Sequence, residues 1–514
     1  MTMTARPSPI AISLALIAAV GAAGTVNAQE QPQRGSQEVI EEITVTGIRG
    51  SIQRAIDFKQ SSNSIVEAVS AEDLGRLPDT SIADAISRLP GLTSQRAEGR
   101  ASAISLRGTD PGFTTALLNG REQVSTGDNR SVEFDQYPSE LLNAVLVYKT
   151  PDAALVGQGL AGTIDLRTVR PLDYGNTAFA ANIRGELNSN DNLGAGADEW
   201  GSRVSLSYID QFADGKVGLA VGYARLDAPL ATRGFGTYEP WGAVNKSNPD
   251  WNASVPDGTL TTNGMKVRTD MGSTERNGFM AALQFEPTEK YSGIIDMYYS
   301  TMDQTNNARS LEVNLGDYPA VCCDGPWPPG TQFGYDNVTV ENGVAVAGNV
   351  LQVVPLARNF LFLTKDEVFA LGFNNDFMLN DEWSLIADLS YSKAERDQDQ
   401  FETQAQYVPL TDPTQPANQY DTATFQLNGT SAMPSLSFTR DYADPDLVQV
   451  GPTIYGAGYT KAPEVVDEIT SFRVDLVREA EMGWFEELAF SVNYTERTKD
   501  KISPESGLST ANGG

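Results

Sequence analysis

The chain has 514 residues, with 67 acidic against 37 basic side chains, a net charge of −30, no histidine and only two cysteines. That balance argues against a nucleic-acid partner, which needs clustered Lys and Arg, and it removes the commonest general base and the commonest metal ligand. Neither a disulfide framework nor a zinc site can be built from Cys322 and Cys323 alone, so no cofactor and no metal site are expected; an enzyme using carboxylates alone stays open, but no pair of acids recommends itself, and no enzyme activity is expected.

The first elements set the compartment. Arg6 supplies a basic start, residues 10–26 are almost wholly apolar, and Val26-Asn27-Ala28 before Gln29 has the small-x-small pattern of a cleavage site. A secretory signal is expected over 1–28; the rival, an uncleaved anchor, fits poorly with so short a run followed by a Gln/Glu stretch. Residues 29–41 lack apolar periodicity and read as a flexible leader. In Glu42-Ile43-Thr44-Val45-Thr46-Gly47, Ile43 and Val45 share one face of a short strand and Thr44 and Thr46 the other. Such a strand can join another protein's sheet edge or begin the next domain, and its pattern alone does not choose.

Residues 48–171 predict a compact α+β domain. Thr80 and Ser81 precede a helix-spaced apolar set that Pro90-Gly91 ends. Short strands are expected at 103–106, 115–118, 144–148 and 163–168, with polar loops at 95–101 and 119–136. Gly157-Gln158-Gly159-Leu160-Ala161-Gly162 matches a dinucleotide-binding string, but that motif needs a helix after it. A strand-like segment follows instead, so these glycines are read as tight-turn positions.

Beyond Pro171 the pattern changes to nine alternating segments, at 177–188, 200–211, 216–227, 273–286, 290–302, 367–379, 383–396, 468–479 and 484–498. Each is long enough for a tilted membrane strand, which needs about 9 to 11 residues in hydrocarbon. Their connectors alternate long and short: 189–199, 213–215, 228–272, 287–289, 303–366, 380–382, 397–467 and 480–483. That parity is expected of a barrel with tight periplasmic turns and extended outer loops. After the leader no apolar run reaches about 18 residues, so only a closed barrel could satisfy its backbone in lipid. Nine is an odd count and residues 507–514 are polar, so the barrel of 172–514 is expected to be incomplete, through a fragment or a truncated gene.

These residues resemble the TonB-dependent receptor family. Glu42 to Gly47 (EITVTG) looks like the TonB box. IADAISRLPGLTSQR from Ile82, ISLRG from Ile104, LLNGRE from Leu117 and VYKTPDAALVGQGLAGTIDLRT from Val147 look like successive plug signatures. The resemblance implies a signal peptide (1–28), a leader with TonB box (29–47), a plug domain (48–171) and a β-barrel (172–514) of about 22 strands when complete. It implies an outer-membrane transporter whose Glu42, Ile43, Thr44, Val45 and Thr46 pair with TonB of the TonB–ExbB–ExbD complex. The leader is too short for the signalling domain of transducing receptors.

By the same resemblance the plug loops face outward and offer Arg96, Glu98, Arg100, Arg121, Glu122, Asp128 and Arg130 to a solute. The alternative is that these charges tie plug to barrel wall. The long loops carry Phe235, Tyr238, Trp241, Trp251, Tyr318 and Trp327, of which Trp241 and Trp327 are candidates for stacking on a sugar; as alternatives they pack the loops or mark the membrane interface. Cys322 and Cys323 could form a strained vicinal disulfide, staple a loop or stay unpaired. RGSIQRAIDFKQ from Arg49, AEDLGRLPD from Ala71 and STGDNRSVEFDQYPSELL from Ser125 resemble receptors linked to oligosaccharide uptake. A ferric siderophore comes second, and haem is disfavoured without histidine. A passive porin, an outer-membrane adhesion or structural protein, and an inactive truncated receptor are the rival readings. The first two leave the N-terminal third without a purpose.

Overall fold

In the computed structural model the described residues run from 56 to 509, apart from 57, 61, 63, 71–80, 98–99, 157–158, 191–192, 195–198, 239–240, 245–254, 315–333, 408–419, 430–432, 451–452, 454–455 and 483–484. The signal, leader and TonB-box expectations therefore lie outside them, as do Glu98, Trp251, Tyr318, Cys322, Cys323 and Trp327.

The plug is built from β1 (Val66–Ser70), α1 (Ile82–Ile86), β2 (Leu92–Ala97), β3 (Arg100–Leu106), β4 (Thr114–Leu118), β5 (Arg121–Glu122), β6 (Ala144–Tyr148) and β7 (Gly162–Arg167). Ser81 caps α1 by accepting from the Asp84 N–H at 3.3 Å, and its hydroxyl donates to the Ala101 carbonyl at 2.7 Å, so one side chain starts the helix and pins it to β3. Strands β1-β6-β7-β4-β5 form one sheet in that order, with β4 and β7 parallel. The expected strands at 103–106, 115–118, 144–148 and 163–168 are all present, and β1 is an addition. Residues 95–97 and 100–101, expected within a loop, instead pair in β2 and β3; their Gln, Arg and Ala side chains carry little strand signal because the pair is half solvated.

Asn119 and Gly120 both have positive φ, 53° and 80°, and join β4 to β5 across the Leu118–Arg121 pair. This is the two-residue Asn-Gly hairpin, whose mirror-image turn matches strand twist. The buried Asp165 carboxylate accepts the Gly120 N–H at 3.0 Å and holds the turn. Gly162, at φ 152°, has no room for a side chain against Leu106 and the Tyr148 carbonyl, and β7 begins there; Gly157 and Gln158 lie outside the described residues.

After a short helix α2 (Pro171–Tyr174) come nine long strands: β8 (Ala178–Leu187), β9 (Trp200–Phe212), β10 (Val217–Thr237), β11 (Gly264–Thr288), β12 (Tyr291–Asn314), β13 (Leu356–Met378), β14 (Trp383–Tyr407), β15 (Glu464–Met482) and β16 (Phe485–Ile502). They pair antiparallel in chain order, the second, fourth and sixth connections being short turns. Among the described residues β8 and β16 do not pair with each other, so the sheet is open on one side. Along β13 the odd positions Phe369, Leu371 and Phe373 point away from the plug, while Asp366, Val368 and Ala370 are buried toward it. One face meets lipid and the other the lumen.

Strands β10 to β14 have 21 to 25 residues, well beyond the segments expected from alternation. The reason is physical. Above the hydrocarbon both faces of a strand carry polar side chains, as in residues 303–310 and 395–400, and the two-residue apolar rhythm fades although pairing continues. The connectors after β10, β12 and β14 are not separate loops either. Residues 242–243, 260–261, 344–353, 421–426 and 435–438 form one sheet in that order, with 334–341 added to 344–353. Val255, Tyr335, Val350, Ala423 and Phe425 are buried beneath it, and Tyr335 meets Phe425 edge-on at 5.7 Å. Three outer loops thus make one folded cap.

Candidate functional site

The plug meets the lumenal wall through polar groups whose positions follow from the elements just described. The Asn-Gly turn delivers Arg121 into the wall, where its guanidinium donates to Asp296 of β12 at 2.6 Å and to Asp388 of β14 at 2.8 Å. Both carboxylates hold the Arg121 charge despite burial and keep its pKa above the ordinary value. The adjacent Glu122 pairs with Arg497 of β16 at 3.0 Å, and Asp128 pairs with Lys501 at 2.6 Å near the surface. The Gln136 amide donates to Asp366 at 2.6 Å, and Gln136's carbonyl accepts from Tyr298 at 2.7 Å and Ser300 at 3.0 Å. Tyr137 stacks on Tyr298 at 4.9 Å. The Arg276 guanidinium donates to the Asp135 carbonyl at 2.5 Å.

The wall makes room for these contacts by omitting side chains. A Cβ on Gly278 would lie 2.5 Å from Pro138, one on Gly222 2.7 Å from Leu141, and one on Gly218 2.9 Å from Leu172, while one on Gly372 would overlap the Arg121 guanidinium. These glycines, and the inward aspartates of β12 to β15, were not singled out from sequence. The available signal was a charge or a glycine at an inward position of an otherwise apolar strand.

Two cavities open on the outer side of the plug, with the β2–β3 hairpin between them. One, of about 560 Å³, is lined by α1, the hairpin and β8 to β11; the other, of about 330 Å³, by the hairpin, Glu133, Asp135 and β12 to β14. Arg96 lines both, and its exposed side chain pairs with Asp84 at 2.8 Å. Arg100 lines the first, 3.7 Å from Asp135. Burial pushes Glu133 up to about 6, with the Asp135 charge adding to this and Arg396 opposing it.

The structure therefore divides the expected solute-binding set. Arg96 and Arg100 face open volume, whereas Arg121 and Glu122 do not face outward and are corrected to plug–wall ties, because the tight turn after β4 aims them sideways. Asp128 is tied to Lys501, and Arg130 lines a small cleft beside Gly112 and Arg497. Trp241 lies half-buried at the end of β10, its indole N–H donating to Thr237 at 3.3 Å. It serves its own loop there.

Higher on the lumenal face, Arg268 and Arg358 flank the Phe360 ring at 5.6 Å and 4.7 Å, and Phe362 lies parallel to it at 5.9 Å. Beside them run Gln398, Gln400, Glu402 and Gln404 at alternate positions of β14, cross-linked by hydrogen bonds of 2.5 Å and 2.8 Å. No group of three or more potential metal ligands occurs among the described residues.

Residues 59–164 match the TonB-dependent Receptor Plug Domain family. The chain thus carries the plug domain of the TonB-dependent receptors. Such receptors are outer-membrane transporters that work with TonB, not enzymes, and the wall of inward polar and outward apolar strands around this plug has the form the role needs. Among solved structures, the siderophore receptor PirA from Acinetobacter baumannii shares 12% identity over 87% of this chain and 78% of its own, with a TM-score of 0.28. The outer membrane transporter YddB from Escherichia coli shares 9% over 85% and 58%, with a TM-score of 0.33. The RagAB peptide importer shares 10% over 88% and 61%, with a TM-score of 0.32.

Proposed function

We propose that this TonB-dependent receptor carries an oligosaccharide inward across the outer membrane. The observation that supports this reading is the lumenal face above the plug. The half-buried Phe362 offers an aromatic ring there, backed by the buried Phe360 that two guanidinium groups flank, and the amide and carboxylate row from Gln398 to Gln404 stands beside it. A pyranose ring has apolar faces and a hydroxyl rim, so it needs a stacking surface edged by planar polar groups. The absence of histidine from the sequence and of clustered ligands among the described residues gives a bare metal ion no comparable seat. A ferric siderophore is the second reading, since the arginines around both cavities suit an anionic chelate.

Transport would be driven through Glu42, Ile43, Thr44, Val45 and Thr46, which pair with TonB of the TonB–ExbB–ExbD complex. The inner-membrane potential is worth about 2.3 kcal/mol per charge per 100 mV, and the strand brings that energy to the plug mechanically. The test is uptake by cells with and without the gene, over oligosaccharides and ferric siderophores, with the proton gradient intact and collapsed. Gradient-dependent uptake of a sugar is expected. Iron-chelate uptake alone would replace the solute, and uptake indifferent to the gradient would overturn the transport reading.

A further inference from the structure

The larger cavity has a charge that the rest of the chain does not. Arg88, Arg96, Arg100 and Arg203 line it against only Asp84 and Glu186, in a protein whose net charge is −30. Arg203 is engaged with Glu186 at 3.3 Å, and Arg96 with Asp84 at 2.8 Å. Arg100 differs: among the described residues both of its terminal nitrogens are buried without a hydrogen bond, and its ion-pair partner Asp135 stands 3.7 Å away. A guanidinium withdrawn from water with unused donors is costly, and its planar fork matches the two oxygens of a carboxylate or sulfate. As the first residue of β3, it lines the larger cavity beside the plug.

Resting on the oligosaccharide reading, we propose that the solute carries an oxyanion, a uronate carboxylate or a sulfate ester, and that Arg100 binds it in this cavity. A cationic cavity in a strongly anionic protein also concentrates anions that the outer surface would repel. Arg88, exposed on the rim, belongs to that attraction, and Arg100 makes the contact.

The experiment measures binding to the complete receptor in detergent of charged and neutral pairs: oligogalacturonates against their methyl esters, and sulfated galactan oligosaccharides against their desulfated forms. One charged member is expected to bind at least about tenfold more tightly than its neutral partner. Arg100→Gln should erase that preference without altering binding of the neutral sugar, Arg100→Lys should restore part of it, and Arg88→Gln should weaken it while leaving the Arg100 site folded. Preference for the carboxylated pair or for the sulfated pair identifies the oxyanion. Equal binding of charged and neutral members, unchanged by Arg100→Gln and Arg88→Gln, would overturn the oxyanion site and leave the sugar reading standing. Binding of a ferric chelate with no sugar bound would overturn that reading itself.

Discussion

The plug–wall interface and the outer cap lie on the same barrel strands but are held together in different proportions. The plug is docked through ion pairs, amides and carbonyls, with Arg121 between Asp296 and Asp388, as well as through apolar contacts such as Leu141 with Ala224 and Met280. The cap closes over an apolar cluster of Tyr335, Val350, Ala423 and Phe425. Polar contacts can be exchanged for water one at a time, whereas an apolar core opens only as a unit. A plug that must rearrange to pass a solute therefore has exchangeable ion pairs among its ties to the wall, and the loops above it are joined into one body.

The comparison is broken most sharply at Arg121. Arg121→Ala leaves two carboxylates buried without their cation, which costs about 3–5 kcal/mol, and should free the plug to proteases and hydrogen exchange while the cap stays protected. Retained protection of the plug would show that the ion pairs are not what docks it. Next in size is Phe425→Ala, which empties a buried aromatic site at a cost of about 3 kcal/mol. It should speed exchange across 344–353 and 421–426 together and leave β4 to β7 unchanged; exchange confined to one loop would mean the cap is not a single body.

The smallest effect sharpens the picture of the interface itself. Glu133 is raised to about 6 from an ordinary 4.5, chiefly by burial. The folded receptor thus holds this proton more tightly than the unfolded chain. Its contribution to stability is complete below about pH 4.5 and is lost as pH rises through about 6. Glu133→Gln should add about 2 kcal/mol at pH 7 and nothing at pH 4, read from thermal unfolding at the two pH values. Equal effects at both would put the carboxyl in water.

Much of this was legible beforehand for reasons that can be named. The four expected plug strands are present, whereas Asn119-Gly120, expected only as the start of a polar loop at 119–136, is a hairpin turn. The alternation of long and short connectors announced a barrel because its two ends face different compartments. The cap was not legible, since its strands come from three connectors and find partners only across them. Nor was the division of labour between Arg100 and Arg121. Both are arginines beside polar residues, and only the turn geometry sends one to open volume and the other into the wall.

The missing side chains at Gly218, Gly222, Gly278 and Gly372 make the inside of the barrel a mould of its own plug. A plug transplanted from another receptor would bring different protrusions to these hollows, and a barrel that filled one of them would reject its native partner. The two parts, though each has its own sheet, cannot be inherited separately: a change on one surface survives only when the facing surface changes with it.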